Sequence, residues 1–201
     1  MEIEAYLGLG SRYSYLASTQ LARIEGATGC RFRWIPIDSA ELIRRAHDGA
    51  SPFDRESPRG QYDAAYRDID AARWARFYDV PYRPPRFAAL GPSDMALACW
   101  RVDGDGERAA MCRAIYDEVF ARGTEMTRDV LVRIASAFAV PGDASAQDAL
   151  SRSRHSGAIA DALAKGVFGV PTFVVENELF WGNDRLPLLE DFLSRARTRT
   201  G

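Results

Sequence analysis

The sequence predicts an α/β fold in which a small sheet domain is interrupted by a long all-helical insertion. Three observations carry this expectation. Residues 3–37 open the chain with a strand, a helix and a strand. From Thr172 onward the chain closes with two short strands and a helix. Between Asp38 and about Ala160, helical patterns follow one another without a convincing strand. The expected division is residues 1–38 and 162–201 for a discontinuous sheet domain and 39–161 for the insertion.

Residues 3–9 read as the first strand, and Gly8, Leu9, Gly10 and Ser11 as a turn. Ser11 is a natural N-cap, because its hydroxyl can accept from an amide of the first helical turn. The helix that follows places Leu16, Ala17, Leu21 and Ile24 on one face, and Gly26 and Gly29 can close it. Residues 31–37 alternate as a second strand, and Pro36 favours a strand end or a sheet edge. Strand, helix and strand in this order imply parallel pairing through a right-handed crossover.

Within the insertion, residues 39–46 read as a short helix and 48–60 as a loop. Residues 62–78 form a helix expected to make its apolar contacts through Ala65, Ile69, Ala72 and Phe77. The proline-rich stretch 80–85 is a stiff connector. Helices are then expected from Pro92 through Trp100, over 107–121 and over 127–138, then a turn at 141–145 and a helix over 146–165. His47 and His155 match no catalytic pattern and are expected at the surface.

Residues 166–175 carry the strongest local signal. Gly166 and Gly169 permit unusual backbone angles, Pro171 fixes its own φ, and Phe173, Val174 and Val175 read as a buried strand. A plain turn into a strand would leave the same signature. A turn at Asn177 and a strand over 179–181 complete a hairpin. Asn183 or Asp184 is expected to cap the last helix, which buries Leu186, Leu189, Phe192 and Leu193 and tolerates Pro187 in its first turn.

Composition excludes several classes of function. The 201-residue chain has a net charge of −2, so no electrostatic footprint points to nucleic acid. No apolar run is long enough to span a membrane, and no secretory signal opens the chain, so a cytoplasmic location is expected. Cys30, Cys99 and Cys112 are odd in number and widely spaced, which argues against a disulfide framework or a zinc site and for small buried hydrophobes. A single lysine, Lys165, stands against 25 arginines, a bias spread along the whole chain.

Taken together, Gly10-Ser11-Arg12-Tyr13-Ser14-Tyr15-Leu16-Ala17, residues 73–82, residues 166–175 and Phe180-Trp181-Gly182-Asn183-Asp184-Arg185-Leu186 resemble the DsbA-like branch of thioredoxin folds. Within that branch they look most like the 2-hydroxychromene-2-carboxylate isomerases and the related kappa-class glutathione transferases. The resemblance implies a thioredoxin-like domain with a helical insertion, glutathione as cofactor and the homodimer common among relatives. It also implies that Val170-Pro171 is the corner whose backbone pairs with a cysteinyl group. Ser11 would then stabilise the glutathione thiolate, and Asn183 and Asp184 would bind its γ-glutamyl end. The implied reaction is reversible addition of that thiolate to a conjugated double bond, rotation and elimination, giving trans-o-hydroxybenzylidenepyruvate.

The chemistry of the residues agrees in part. Disulfide exchange needs a thiolate, and the stretch Ser11-Arg12-Tyr13-Ser14 has none. A helix N-terminus favours an anion, so Ser11 can serve a borrowed thiol, although Ser11 as a simple cap gives the same sequence. Ordinary helix capping likewise explains Asn183 and Asp184. Arg44, Arg45, Arg55 and Arg59 are candidate partners for the glycine carboxylate, while Tyr6, Tyr13 and Trp181 are candidates to line an aromatic slot or to pack in the core. Arg12 stands where the family usually has proline, Leu7-Gly8-Leu9-Gly10 lacks an aspartate before the serine, and the loop after Pro36 is not Gly-rich. A transferase-like enzyme acting on another electrophile, and a binding protein without turnover, are the alternatives.

Overall fold

A computed structural model of the chain describes residues 1–53, 60–88, 90–138 and 144–200. β1 (Glu2–Gly8) leads into α1 (Arg12–Thr28), which returns through β2 (Arg31–Ile37). The two strands are parallel, in register from Glu2 opposite Arg31 to Gly8 opposite Ile37. α2 (Ser39–Ala46), α3 (Ala64–Tyr78), α4 (Pro92–Cys99), α5 (Asp105–Tyr116), α6 (Arg128–Ser136) and α7 (Ala144–Ala164) follow. The chain then forms β3 (Thr172–Val175), β4 (Glu178–Trp181) and α8 (Leu186–Thr200). The sheet order is β2-β1-β3-β4, with β3 antiparallel to β1 and β4. Pro36 lies on the edge strand β2, where its missing N–H costs no ladder bond on the outer side.

The alternation of β1 and β2 sorts their side chains onto two faces. Ile3, Ala5, Leu7, Phe32 and Trp34 share a core with Leu16, Leu21 and Ile24 of α1 and Leu186, Leu189 and Leu193 of α8. Tyr6, Ile35 and Ile37 pack on the other side with Leu42 of α2 and Ile159 and Ala162 of α7. Burying each of these large aliphatic side chains contributes about 1.5–3 kcal/mol. The first core continues without a break into α4, α5 and α6 through Met95, Cys99, Cys112, Ile115 and Ile134. The expected boundary between residues 161 and 162 falls inside α7. In the β3–β4 hairpin, Glu176 and Asn177 both have positive φ (49° and 67°), as a tight two-residue turn requires.

Helix ends follow the expected chemistry at α1. Ser11 accepts from the Ser14 amide, and Gly29, with φ of 71°, donates its N–H to the Glu25 carbonyl. Gly26 lies within the helix. Past Tyr116, residues Asp117–Ala121 widen into a π-helical turn. It places Phe120 between Tyr15 and Tyr82, at ring-centroid distances of 5.1 and 6.4 Å.

Three expectations are corrected. α3 buries Ala71 and Ala75, while Ile69 and Phe77 are exposed. Small residues let α3 approach α1 closely, Trp74 and Tyr78 pack on the core beside them, and two polar pairs join the helices: Arg12 with Asp68, and Tyr13 with Asp70. Neither Asn183 nor Asp184 caps α8 with its side chain. Residues Asn183–Arg185 form a 3-10 turn after Gly182 and feed directly into the helix. His155 is not at the surface: it is 4% exposed, and its Nε2 accepts from the Asp38 amide at 2.9 Å. His47 is exposed, as expected. Residues 54–59 of the expected loop and 141–143 of the expected turn lie outside the described residues.

Candidate active site

The end of β1 is tied down before any functional side chain is considered. The Gly8 N–H donates to Ser14 Oγ at 3.2 Å. The Gly8 carbonyl accepts from the Ser11 amide at 2.9 Å and from the Tyr116 hydroxyl at 3.1 Å. Ser11 Oγ accepts from the Ser14 amide at 3.2 Å. Tyr116 comes from α5, so the insertion helps to hold the turn that presents Ser11. Ser11 therefore stands at the N-terminus of a 17-residue helix with no acidic residue in its first turn. The aligned peptide dipoles there favour an anion.

The peptide bond Val170-Pro171 is cis. Thr172 Oγ1 donates to the Gly169 carbonyl at 2.7 Å, and the Pro171 carbonyl accepts from the Gly182 amide at 2.9 Å. The Val170 N–H and C=O make no hydrogen bond among the described residues. This corner reaches the Ser11 turn through Gly8. A Cβ at position 8 would lie 2.8 Å from Val170 Cγ2, 3.3 Å from Ser39 Cβ and 3.4 Å from Ser11 Cβ. Gly10 is crowded in the same way: a Cβ there would lie 2.6 Å from Pro92 Cγ and 3.5 Å from Phe87 Cζ. The two stretches that stand out in the sequence, some 160 residues apart, thus meet across a backbone that has no room for a side chain.

Asn183 is 3% exposed, and its Nδ2 has no hydrogen-bond partner among the described residues. Its backbone carbonyl accepts from the Tyr78 hydroxyl at 3.1 Å. Asp184 is exposed and lies 3.5 Å from the Arg185 guanidinium. The turn carrying both residues packs against α1. Beside the corner, the indole of Trp181 lies over Gly169, and Phe168 lies against it at 4.9 Å between ring centroids.

The other aromatic candidates separate. Tyr6 is fully buried, with its hydroxyl on Glu4 and Asp161, and belongs to the core. Tyr13 is partly buried and donates to Asp70 at 2.9 Å. Burial, then the Asp70 carboxylate, raises the Tyr13 phenol, so it stays protonated at neutral pH. Trp181 is the one of the three that stands at the corner. Cys30, Cys99 and Cys112 are all buried, and burial raises the Cys30 thiol and pushes the Cys99 thiol well up, which disfavours the reactive thiolate at both. Arg44 and Arg45 are exposed on α2, where Arg45 pairs with Glu41 at 3.4 Å. Arg55 and Arg59 lie outside the described residues.

Sequence reasoning missed Ser14, Ser39 and Tyr116. Ser14 had a local signal, since it lies three residues beyond the cap. Ser39 and Tyr116 reach the turn only through tertiary packing.

Residues 2–194 match the DSBA-like thioredoxin domain family. A 2-hydroxychromene-2-carboxylate isomerase of Sphingobium xenophagum is 33% identical over 197 residues, spanning 95% of this chain and 97% of that protein. Another, from Pseudomonas putida, is 27% identical over 200 residues, spanning 97% and 95%. The solved structure of a 2-hydroxychromene-2-carboxylate isomerase superposes with a TM-score of 0.79 at 25% identity, covering 100% of this chain and 98% of the other.

Proposed function

The chain belongs to the DSBA-like thioredoxin-domain family and, within it, to the family of the 2-hydroxychromene-2-carboxylate isomerases, and on that premise we propose that it is a glutathione-dependent cis–trans isomerase. Its substrate is 2-hydroxychromene-2-carboxylate or a similar intermediate of aromatic degradation. The observation that carries this reading is the meeting of Ser11 with the Val170-Pro171 corner across Gly8.

The residues present fit glutathione. Val170 offers a backbone N–H and C=O with no partner among the described residues, suited to a short strand-like pairing with a cysteinyl residue. Asn183 offers a buried donor in need of an acceptor, and the exposed Asp184 carboxylate can accept from an α-ammonium group. Bound glutathione supplies the nucleophilic thiol for reversible addition to the conjugated double bond, about which rotation then occurs. Ser11 donates its hydroxyl proton toward the sulfur while its oxygen stays on the Ser14 amide. The α1 N-terminus lowers the energy of negative charge at that point. Trp181 and Phe168 offer an apolar wall beside the corner.

The test is a calorimetric titration with reduced glutathione, following thiolate absorbance in parallel, and then turnover of 2-hydroxychromene-2-carboxylate with and without glutathione. Binding with a depressed thiol pKa and glutathione-dependent formation of the trans product support the proposal. Absence of binding at millimolar glutathione overturns the cofactor assignment. Accumulation of a stable conjugate in place of isomer would make the enzyme a transferase.

A further inference from the structure

Next to Ser11, the chain places two arginines that its ordinary ion pairs do not satisfy. The Arg12 side chain is 14% exposed, and its Nη2 stands 3.0 Å from Asp68 Oδ1. Arg12 Nη1 is buried and has no hydrogen-bond partner among the described residues. Arg67, on α3, stacks over Phe53 at 4.8 Å, and its Nε is buried and equally unpartnered. The Tyr82 hydroxyl, from the connector before α4, is a further buried group with no aligned hydrogen bond among the described residues; the Arg12 guanidinium faces its oxygen, which leaves the hydroxyl proton to be placed. The three belong to one neighbourhood. Arg12 and Arg67 both act on the Tyr82 and Tyr13 hydroxyls, and burial followed by the nearby Arg12 charge lowers the Arg67 pKa.

Among the described residues, the carboxylates around these groups are already committed. Asp68 faces Arg12 as an ion pair, although its Oδ1 lacks an aligned hydrogen bond. Asp70 accepts from the Tyr13 hydroxyl at 2.9 Å, and Asp63 caps α3 through the Tyr66 amide at 2.8 Å. Two partly buried guanidiniums that share the one carboxylate of Asp68 and keep unfilled donors call for a further acceptor that brings negative charge. A carboxylate matches the requirement: it is small and planar, and its two oxygens can take guanidinium and hydroxyl donors together.

We propose that Arg12, Arg67 and Tyr82 form a carboxylate-binding subsite beside Ser11, filled by a carboxylate of the cofactor or of the electrophile. Assigning the carboxylate to either of these rests on the function proposed above; the subsite itself does not. A subsite of this kind selects electrophiles that carry an acid group, or else anchors the glycine end of glutathione.

The experiment is calorimetry with matched acids and amides. One arm compares reduced glutathione with glutathione whose glycine carboxylate is a primary amide. The other compares trans-cinnamate with trans-cinnamamide, with and without glutathione. The native chain is expected to bind the acid about tenfold or more tightly than the amide in one arm. Arg67→Gln is expected to bring the two within about twofold. Tyr82→Phe, a milder change, reduces the preference while leaving thermal stability nearly unchanged, and it serves if Arg67→Gln fails to fold. Preference in the first arm assigns the subsite to the cofactor, and in the second to the electrophile. No preference in either arm, or a preference that survives both substitutions, overturns the proposal. If glutathione itself does not bind, the cofactor reading falls, and the cinnamate arm without glutathione still decides the subsite.

Discussion

Gly8 and Val170 are packed so closely that a Cβ on Gly8 would lie 2.8 Å from Val170 Cγ2. This contact joins the end of β1 to the corner before β3, and it fixes where Ser11 stands relative to Val170. Because Ser39 and Ser11 close the other sides at 3.3 and 3.4 Å, an added methyl group has nowhere to move. Gly8→Ala is therefore expected to cost about 1–3 kcal/mol in urea denaturation and to lower turnover. Adding Val170→Ala removes the clashing methyl and should recover much of the stability. A Gly8→Ala chain as stable as the native one would mean that the two segments are not held in this contact.

Ser11 has two separable roles. As the cap of α1 it accepts from the Ser14 amide, and Ser11→Ala should cost about 1 kcal/mol of stability. As the group that faces the cofactor sulfur, its loss should lower kcat by roughly a hundredfold, the scale expected for one donor to a developing or resident anion. Glutathione affinity should change by less than about threefold, since the peptide contacts stay. A stability loss with kcat intact would reduce Ser11 to a helix cap.

The Tyr116 hydroxyl holds the Gly8 carbonyl from the insertion side. Tyr116→Phe leaves that carbonyl with the Ser11 amide alone, at a cost of about 1 kcal/mol. The phenol does not reach the reacting atoms, so the expected kinetic signature is a lower kcat at unchanged glutathione KM. A change in KM alone would show that Tyr116 does not position the turn that carries Ser11.

The sheet and its flanking helices were legible because their patterns are local: alternation in β1 and β2, and the Ser11 and Gly29 ends of α1. The DsbA-like thioredoxin fold followed from the order of those elements together with the motifs. α3 misled because it carries two apolar rows at helical spacing, and periodicity alone does not say which of them faces the core. Ala71, Trp74, Ala75 and Tyr78 form the row that packs on the core, while the expected row carries Ile69 and Phe77 outward. The Asn183 and Asp184 cap failed because a 3-10 turn enters α8 directly, so no single side chain is needed at the junction. His155 finds its partner 117 residues away, at the Asp38 amide, and no short window of sequence records that contact.

That buried histidine gives a pH dependence of known sign. His155 Nε2 must be unprotonated to accept from the Asp38 amide. Burial, the largest influence, lowers its pKa below the usual 6.5, against the opposing pull of Glu41 and Asp38. The unfolded chain therefore takes up a proton before the folded one does as the pH falls below about 6.5. Stability contributed by neutral His155 is present above that pH and is lost on descent toward the lower, folded-state pKa. The slope for one such group cannot exceed about 1.4 kcal/mol per pH unit. Glu4 and Asp161, whose pKa values are lowered beside Lys165, act only in the more acidic carboxylate range. Urea unfolding between pH 7.5 and 5.5 should thus show stability falling in the native chain. His155→Gln, whose side-chain oxygen can still accept from Asp38, should remove most of that slope. An equal decline in the variant would assign the acid sensitivity to another group and leave His155 as a packing residue only.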